Sequence, residues 1–207
     1  MFKVDLHVHT VLGGDSNIQP DDLVVRALEV GLDAVCVTEH HSYALSEPVE
    51  EISRGTNFPI FRGAEYRAAE GHLLVFGAKV EKSELLPGLP MQFAVDWAHR
   101  KGGVAIPAHS YQKGIVGSYL GDRVLELKNL IALEVINGSA TSEENRRALE
   151  AAIHLGVKGI GGSDAHGLHG LGKVYTLFPE PIRTEEELIW ALRYSEYTPH
   201  WNENMKL

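Results

Sequence analysis

Histidines and carboxylates lie at the ends of apolar runs in this chain, and their placement constrains what it can fold into. The run 5–9 carries His7 and His9, and the run 160–166 ends with Asp164 and His166. Side chains alternate along a β-strand, so each pair projects from one face, with its members about 6.6–6.8 Å apart along the strand. Both members of a pair could therefore reach one ion. We predict two strands that contribute to a metal site.

The composition is that of a globular protein with one sizeable hydrophobic core. The chain has 207 residues, of which 44% are hydrophobic and 23% charged. This length suits a single domain spanning 1–207. The formal net charge is −9, and dense runs of Lys and Arg are absent from the sequence. We therefore predict that long nucleic acids are not partners of this protein.

Cysteine usage and hydropathy predict a cytoplasmic protein. The one cysteine, Cys36, lies in an apolar run and cannot form an internal disulfide. We expect no signal peptide, because the first residues lack a basic segment followed by an apolar stretch. No apolar run approaches about 18 residues, so we expect no membrane span. The sequence makes no prediction about oligomeric state.

Strand-like apolar runs alternate with amphipathic helical segments along nearly the whole chain. Predicted strands cover 4–9, 34–38, 58–65, 72–77, 104–108, 131–136 and 157–161, and predicted helices 20–30, 48–53, 91–98, 141–155 and 184–192. The runs 58–65 and 72–77 could form a hairpin through Glu70-Gly71. Capping-box patterns at Thr141/Glu144 and Thr184/Glu187 predict where the last two helices begin. We predict surface loops over 85–90 and 113–122. Repeated βα units favour an α/β fold with a parallel sheet closed, or nearly closed, into a barrel.

The residues able to bind metal fall at one end of these strands. Six histidines, together with Asp15, Glu65 and Asp164, lie at or just beyond strand ends; the histidines are His7, His9, His40, His72, His109 and His166. Only His72 begins its strand instead of following it. Barrels of this kind carry their chemistry at the C-terminal edge of the strands. So many charged groups in one cavity would be costly unless they shared divalent ions.

These motifs and their order resemble the four motifs of the PHP (polymerase and histidinol phosphatase) superfamily. The matching segments are His7-Val8-His9 with Asp15, Thr38-Glu39-His40, Gly63-Ala64-Glu65, Ala108-His109 and Gly162-Ser163-Asp164-Ala165-His166. The resemblance implies a single-domain, distorted (β/α)7 barrel, similar to a TIM barrel, that binds two or three metal ions. It also implies phosphoesterase activity.

The resemblance also implies a ligand set. The first metal would be bound by His7, His9, Glu65 and Asp164, with Glu65 bridging to a second ion at His109. Asp15, His40 and His166 would bind a third ion or strengthen a two-metal site. At Asn137 some relatives have a further histidine, and we predict that His72 replaces it. Nitrogen and oxygen ligands without thiolate favour Mn, Zn or Fe.

The predicted reaction is hydrolysis of a small phosphate monoester by a hydroxide that bridges two ions. Glu65 would fix the spacing of the ions. His41 or His109 could protonate the leaving alkoxide, and we favour His41 because a metal-bound histidine cannot act as an acid without dissociating. Phosphate recognition would fall to nearby cations, first Arg67, whose guanidinium can bind phosphate through two bonds, and then Lys113 and Lys173.

Three other functions fit the same residues. The site could act as a phosphodiesterase or exonuclease on nucleotides or short oligonucleotides. It could act as an amidohydrolase, because carbonyl and phosphoryl attack use the same metal-activated hydroxide. The chain could also be a non-catalytic module that metal ions stabilise.

Overall fold

The computed structural model describes residues 1–113 and 119–205. In this part of the chain the strands are β1 (Phe2–Val8), β2 (Ala34–Val37), β3 (Ile60–Arg67), β4 (His72–Phe76), β5 (Val104–Ala108), β6 (Ala132–Asn137), β7 (Lys158–Gly162), β8 (Val174–Phe178) and β9 (Thr198–Trp201). The α-helices are α1 (Pro20–Glu29), α2 (Val49–Thr56), α3 (Met91–Arg100), α4 (Ser142–Leu155) and α5 (Glu185–Tyr194). Short 3-10 helices cover Tyr43–Ser46, Gly121–Glu126 and Glu203–Met205.

Strands β1 to β7 form a distorted, TIM-like barrel, which confirms the predicted α/β fold class. One sheet has the order β5-β4-β3-β2-β1-β8-β9, and β6 and β7 form a second. Strand β6 lies beside β5, and β7 lies beside β1. Just beyond β7, the Asp164 N–H donates to the His7 carbonyl at 2.8 Å, and the His9 N–H donates to the Ala165 carbonyl at 3.1 Å. These bonds join the two sheets on one side of the barrel.

The sheet is mixed rather than parallel throughout. Strand β1 pairs in parallel with β2, and β2 with β3, but β4 runs antiparallel to both β3 and β5. The β3–β4 hairpin turns at 68–71, which confirms the predicted hairpin. Strands β8 and β9 were not predicted. They form an antiparallel extension beside β1. The β8 segment Val174–Phe178 is rich in strand-favouring residues, a signal that the sequence analysis missed, whereas β9 is short and mostly polar.

A shift of register in β1 turns the histidines predicted to bind metal inward. The pairing of β1 with β2 is irregular between Asp5 and Val8. Leu6 packs in a buried cluster with Leu74 and other interior residues, yet the next side chain, His7, also faces the barrel interior. A β-bulge has this effect because it interrupts the alternation of side chains. The barrel interior is therefore apolar around Leu6, and polar groups line it at the C-terminal end of β1.

Capping explains where the later helices begin. At α4 the Thr141 hydroxyl accepts from the Glu144 N–H, and the Glu144 carboxylate accepts from Thr141, as predicted. At α5 only half of the predicted box forms, because the Glu187 carboxylate accepts from the Arg183 N–H instead. No helix in the described residues is long and apolar enough to cross a membrane. The cytoplasmic location stays a prediction.

The two predicted surface loops have different outcomes. Residues 85–90 form a loop, but Leu85 is buried in the core and not on the surface. Its side chain belongs to a buried apolar cluster that also contains residues of α3 and β4. In the loop 113–122, residues 114–118 lie outside the described residues, and a 3-10 helix begins at Gly121.

Replacing Gly162 with alanine should destabilise the protein. A Cβ at this position would lie 2.4 Å from the His7 Cβ and 3.0 Å from a Glu134 carboxylate oxygen. We expect a loss of about 1–3 kcal/mol in the free energy of unfolding, the usual cost of overpacking. Gly55→Ala is the matched control, because a Cβ there meets no atom within 4 Å. Urea denaturation that showed equal stability for both variants would contradict the close packing of β7 on β1.

Candidate metal centre

The fold brings all nine predicted metal ligands to one end of the barrel. Groups of three or four of these side chains have ligand atoms within 4.8 Å of one another. The members are His7, His9, Asp15, His40, Glu65, His72, His109, Asp164 and His166. Whether each one binds an ion stays a prediction, but they form a continuous set of nitrogen and oxygen donors.

Strand direction explains why His72 belongs to this set although it begins its strand. Strands β1, β2, β3 and β5 approach this edge with their C-terminal ends, whereas β4 runs the other way. His72 is therefore opposite Arg67 at the end of β3 and opposite Ala108 at the end of β5. The N-terminal end of one antiparallel strand thus lies at the C-terminal edge of the barrel.

The first donor cluster has the dimensions of a four-coordinate metal site. The Nε2 atoms of His7 and His9 are 3.2 Å apart, and they lie 3.5 and 3.2 Å from Glu65 Oε2. Both nitrogens are 3.5 Å from Asp164 Oδ1. An ion with four tetrahedral ligands at about 2.0–2.2 Å places neighbouring ligand atoms about 3.3–3.6 Å apart. These five separations therefore suit one ion bound by the two histidines together with Glu65 or Asp164.

A second donor cluster shares Glu65 with the first. Its other oxygen, Oε1, lies 2.7 Å from His72 Nδ1 and 2.9 Å from His109 Nε2. The two oxygens of one carboxylate thus face two groups of histidines. This is the arrangement that a bridging ligand between two ions requires. That His72 replaces the histidine of some relatives at Asn137 stays a prediction.

The third donor cluster is more open to solvent. Asp15 Oδ2 lies 3.0 Å from His40 Nε2 and 3.5 Å from His166 Nε2, and His9 completes the group. The side chains of Asp15 and His166 are 38% and 40% exposed. His40 also connects this cluster to the others, because its Nδ1 is 3.2 Å from Glu65 Oε2.

Asn137 is close to the centre without joining any of its donor clusters. Its side-chain amide donates to Glu134 Oε2 at 3.0 Å and to Asp164 Oδ2 at 3.3 Å. Its carbonyl oxygen accepts from the N–H groups of Ser139 and Ala140. The amide therefore orients Asp164, and its own acceptor is occupied by the turn that follows β6.

Without metal, the histidines and carboxylates of the centre stabilise one another's charged forms. Burial alone would raise the pKa of Glu65, but the charge of His7 and hydrogen bonds from His109 and His72 keep it well below its ordinary value. Burial would lower the pKa of His109, but its bond to Glu65 and the charge of that carboxylate raise it to about 9. The pKa of His7 is raised well above its ordinary value because nearby carboxylates, first Asp164, outweigh burial.

The predicted substrate-binding cations occupy different surroundings. Arg67 is exposed at the end of β3, opposite His72. Lys113 is exposed, and its backbone N–H donates to Glu144 at the start of α4. The Lys173 ammonium donates to the Gly138 carbonyl at 3.1 Å and lies over the Trp201 ring. Of the three, Lys173 therefore has its charged group occupied by other contacts.

His41, the predicted proton donor, lies at the edge of the centre. It has a left-handed backbone with φ of 62°, and its ring centroid is 6.0 Å from that of His40. Its Nδ1 is buried and has no hydrogen-bond partner among the described residues. Burial, followed by the neighbouring cations and histidines, lowers the pKa of His41. The ring is therefore mostly neutral near pH 7, and a bound anion would favour its protonation.

Sequence reasoning missed three buried carboxylates that support the centre. Asp5 accepts the N–H groups of Ser163 and Gly172 and so fixes the segments on either side of Asp164. Glu39 and Glu134 lie behind His9 and His7. All three interrupt apolar runs, and a charged residue inside a buried strand indicates a specific partner. The sequence therefore indicated that these carboxylates have specific partners, but it could not show which residues the partners are.

Comparison with protein families now identifies the chain. The model of the PHP domain matches residues 5–114, which include seven of the nine candidate ligands. The protein belongs to the PHP family. A second family model, described as PHP-associated, matches residues 142–196. No protein of curated function matches the sequence.

Solved structures of similar fold extend over most of the chain. A candidate metal-dependent phosphoesterase from Bifidobacterium adolescentis has a TM-score of 0.68 and 18% identity, with coverage of 93% of this chain and 96% of that one. PsfC from Pseudomonas syringae has a TM-score of 0.67 and 21% identity, covering 99% and 93%. An amidohydrolase from Chromobacterium violaceum, with bound sulfate and no metal, has a TM-score of 0.62 and 16% identity, covering 79% and 87%. Because the sequence identities are this low, the structural similarity supports the fold assignment of this PHP protein and nothing beyond it.

The stability of the metal-free PHP protein should fall as pH rises from about 6.5 to about 9. The pKa of His109 is about 9 in the folded protein and 6.5 in the unfolded chain, so the folded state binds more protons over this interval. Divalent ions displace those protons, so their stabilising effect should increase over the same interval. Thermal unfolding followed with chelator and with added Mn²⁺ measures both trends. A melting temperature independent of pH in chelator would contradict the charged pairing of His109 with Glu65.

Proposed function

We propose that this PHP protein is a metal-dependent phosphoesterase that hydrolyses a small phosphate monoester. The observation that carries the proposal is Glu65, whose two carboxylate oxygens face two separate groups of histidines. Two adjoining metal sites that share a carboxylate suit phosphoryl transfer, which needs charge neutralisation on both sides of the phosphorus. The family and the fold of a candidate metal-dependent phosphoesterase support the same conclusion.

The donor set supports two ions, and a third at the more exposed cluster around Asp15. Nitrogen and carboxylate donors favour Mn, Zn or Fe. Bound ions would supply an activated hydroxide and neutralise charge on the phosphoryl oxygens. In this proposal Glu65 sets the distance between the first two sites, and the third site could anchor the phosphate.

The remaining steps fall to residues around the centre. Arg67 would bind a phosphoryl oxygen from the β3 edge, with Lys113 and Lys173 as further candidates. His41 would protonate the leaving alkoxide once the substrate anion has favoured its charged form. The position of His41 at the edge of the centre, with its ring centroid 6.0 Å from that of His40, supports this role.

Glu65→Gln should abolish hydrolysis, because an amide cannot bridge two cations and cannot match the charge of the surrounding histidines. We expect a loss of at least about 10³-fold in kcat with Mn²⁺, Zn²⁺ or Fe²⁺, equivalent to about 4 kcal/mol. Glu51→Gln on the exposed side of α2 is the matched control. Activity of Glu65→Gln equal to that of the control would exclude this site as the catalytic centre.

The same assay separates the proposed activity from its alternatives. Wild-type protein loaded with each ion is tested on phosphate monoesters, phosphodiesters, short oligonucleotides and amides. Preference for diesters or amides would replace the monoester assignment with a phosphodiesterase or an amidohydrolase. If every loaded form is inactive and metal removal lowers only thermal stability, the chain is a structural module.

Arg67→Ala should raise the KM for phosphate monoesters about 10–100-fold, because a charge-assisted hydrogen bond contributes about 1.5–3 kcal/mol. Arg54→Ala removes the same charge from the exposed side of α2 and serves as the matched control. Steady-state kinetics at fixed ionic strength measures both variants. If KM and kcat of Arg67→Ala match those of the control, Arg67 does not bind substrate.

A further inference from the structure

Two buried carboxylates that belong to no donor cluster lie behind the paired histidines of β1. Glu134 on β6 and Glu39, which follows β2, are both fully buried. A buried carboxylate is costly unless donors satisfy it, so each should have a defined set of partners. Glu134 contacts His7 directly, and Glu39 accepts from Thr10, the residue after His9.

Glu134 contacts three elements of the centre at once. Its Oε1 lies 3.0 Å from His7 Nδ1, on the side of the ring opposite to the metal donors. Its Oε2 accepts the His109 backbone N–H at 2.8 Å and the Asn137 amide at 3.0 Å. Because Asn137 also donates to Asp164, one carboxylate connects three candidate ligands from β1, β5 and the end of β7.

The contact between Glu134 and His7 determines which ring nitrogen can bind a metal. A carboxylate only accepts hydrogen bonds, so the proton of a neutral His7 ring belongs on Nδ1. The lone pair on Nε2 then faces His9, Glu65 and Asp164. Carboxylates that accept from a ligand histidine orient its ring and increase its affinity for the metal.

Glu39 has the same relation to His9 with one contact still open. Its Oε1 accepts the Thr10 N–H at 3.0 Å and the Thr10 hydroxyl at 2.5 Å. Its Oε2 lies 3.9 Å from His9 Nδ1. Both of these atoms are buried and have no hydrogen-bond partner within the described residues. A small rotation of the His9 ring would pair them and satisfy both.

We propose that Glu134 and Glu39 are a pair of positioning residues, one behind each histidine of β1, that orient Nε2 of His7 and His9 toward the first metal ion. The inference rests on the proposed metal binding, but it does not depend on which ester is hydrolysed. It also gives Asn137 a role, because this amide holds Glu134 and Asp164 in their relative positions.

The carboxylate-to-amide variants Glu134→Gln and Glu39→Gln test this proposal. In Glu134→Gln the donors of His109 and Asn137 select the glutamine carbonyl, which leaves its amide facing His7 Nδ1. In Glu39→Gln the donors of Thr10 likewise leave an amide facing His9. A histidine that binds a metal ion through Nε2 carries its proton on Nδ1. Each variant would therefore place two hydrogen-bond donors against each other at one histidine only.

We expect each variant to weaken the affinity for Zn²⁺ or Mn²⁺ about 10–100-fold in competition with a chelator. Nitrogen-15 NMR of histidine-labelled, Zn²⁺-loaded protein should show a changed Nδ1–H resonance for His7 in Glu134→Gln and for His9 in Glu39→Gln. Glu185→Gln is the matched control, because Glu185 accepts from Tyr43 and Arg62 away from the centre. Circular dichroism establishes that each variant is folded.

Unchanged affinity and unchanged Nδ1–H resonances in both folded variants would overturn the proposal and leave the phosphoesterase assignment intact. Weakened affinity in both, with resonances shifted at the wrong histidine, would also overturn it. If Glu134→Gln does not fold, Glu39→Gln decides the outcome alone. Metal binding with the expected losses, in a protein inactive on every ester, would support the positioning role and reject the proposed reaction.

Discussion

The structure depends on the burial of one carboxylate among imidazoles. Glu65 is 2% exposed, and nitrogen atoms of five histidines lie within 3.5 Å of its oxygens. These histidines come from the ends of β1 and β5, from the start of β4 and from the segment after β2. A charge so deeply buried must be compensated, either by protonated rings or by divalent ions. The convergence of four chain segments on Glu65 therefore defines the end of the barrel where the candidate ligands lie.

Two irregularities of the barrel make this convergence possible. The register shift in β1 turns His7 inward next to Leu6, so the strand contributes both to the apolar interior and to the metal centre. Strands β5 and β6 lie side by side in different sheets, and the Glu134 side chain connects them through the His109 N–H. The same carboxylate contacts His7. One residue thus connects two neighbouring strands of the barrel and contacts a candidate ligand on a third.

Much of the fold could be predicted because its local signals are strong. Strands and helices with clear periodicity lie close to their predicted positions, and the capping box at Thr141 forms as expected. Strand β9 escaped prediction because its local signal is weak, whereas β8 carries strand-favouring residues that the sequence analysis did not use. Leu85 was placed on the surface because its sequence context is that of a loop, and only an apolar cluster formed by distant segments buries it.

The sequence by itself determined the kinds of donor, their order along the chain and their positions at strand ends, because alternation and strand length are local properties. It could also indicate that His72 belongs with them. Only the tertiary structure decided how the donors divide into clusters, because the direction of β4 and the bulge in β1 arise from pairing between distant segments. For the same reason the sequence showed Glu134 and Glu39 as charged residues in apolar runs but could not show their histidine partners. Contacts between residues as far apart as His7 and Glu134 exist only after the barrel has closed.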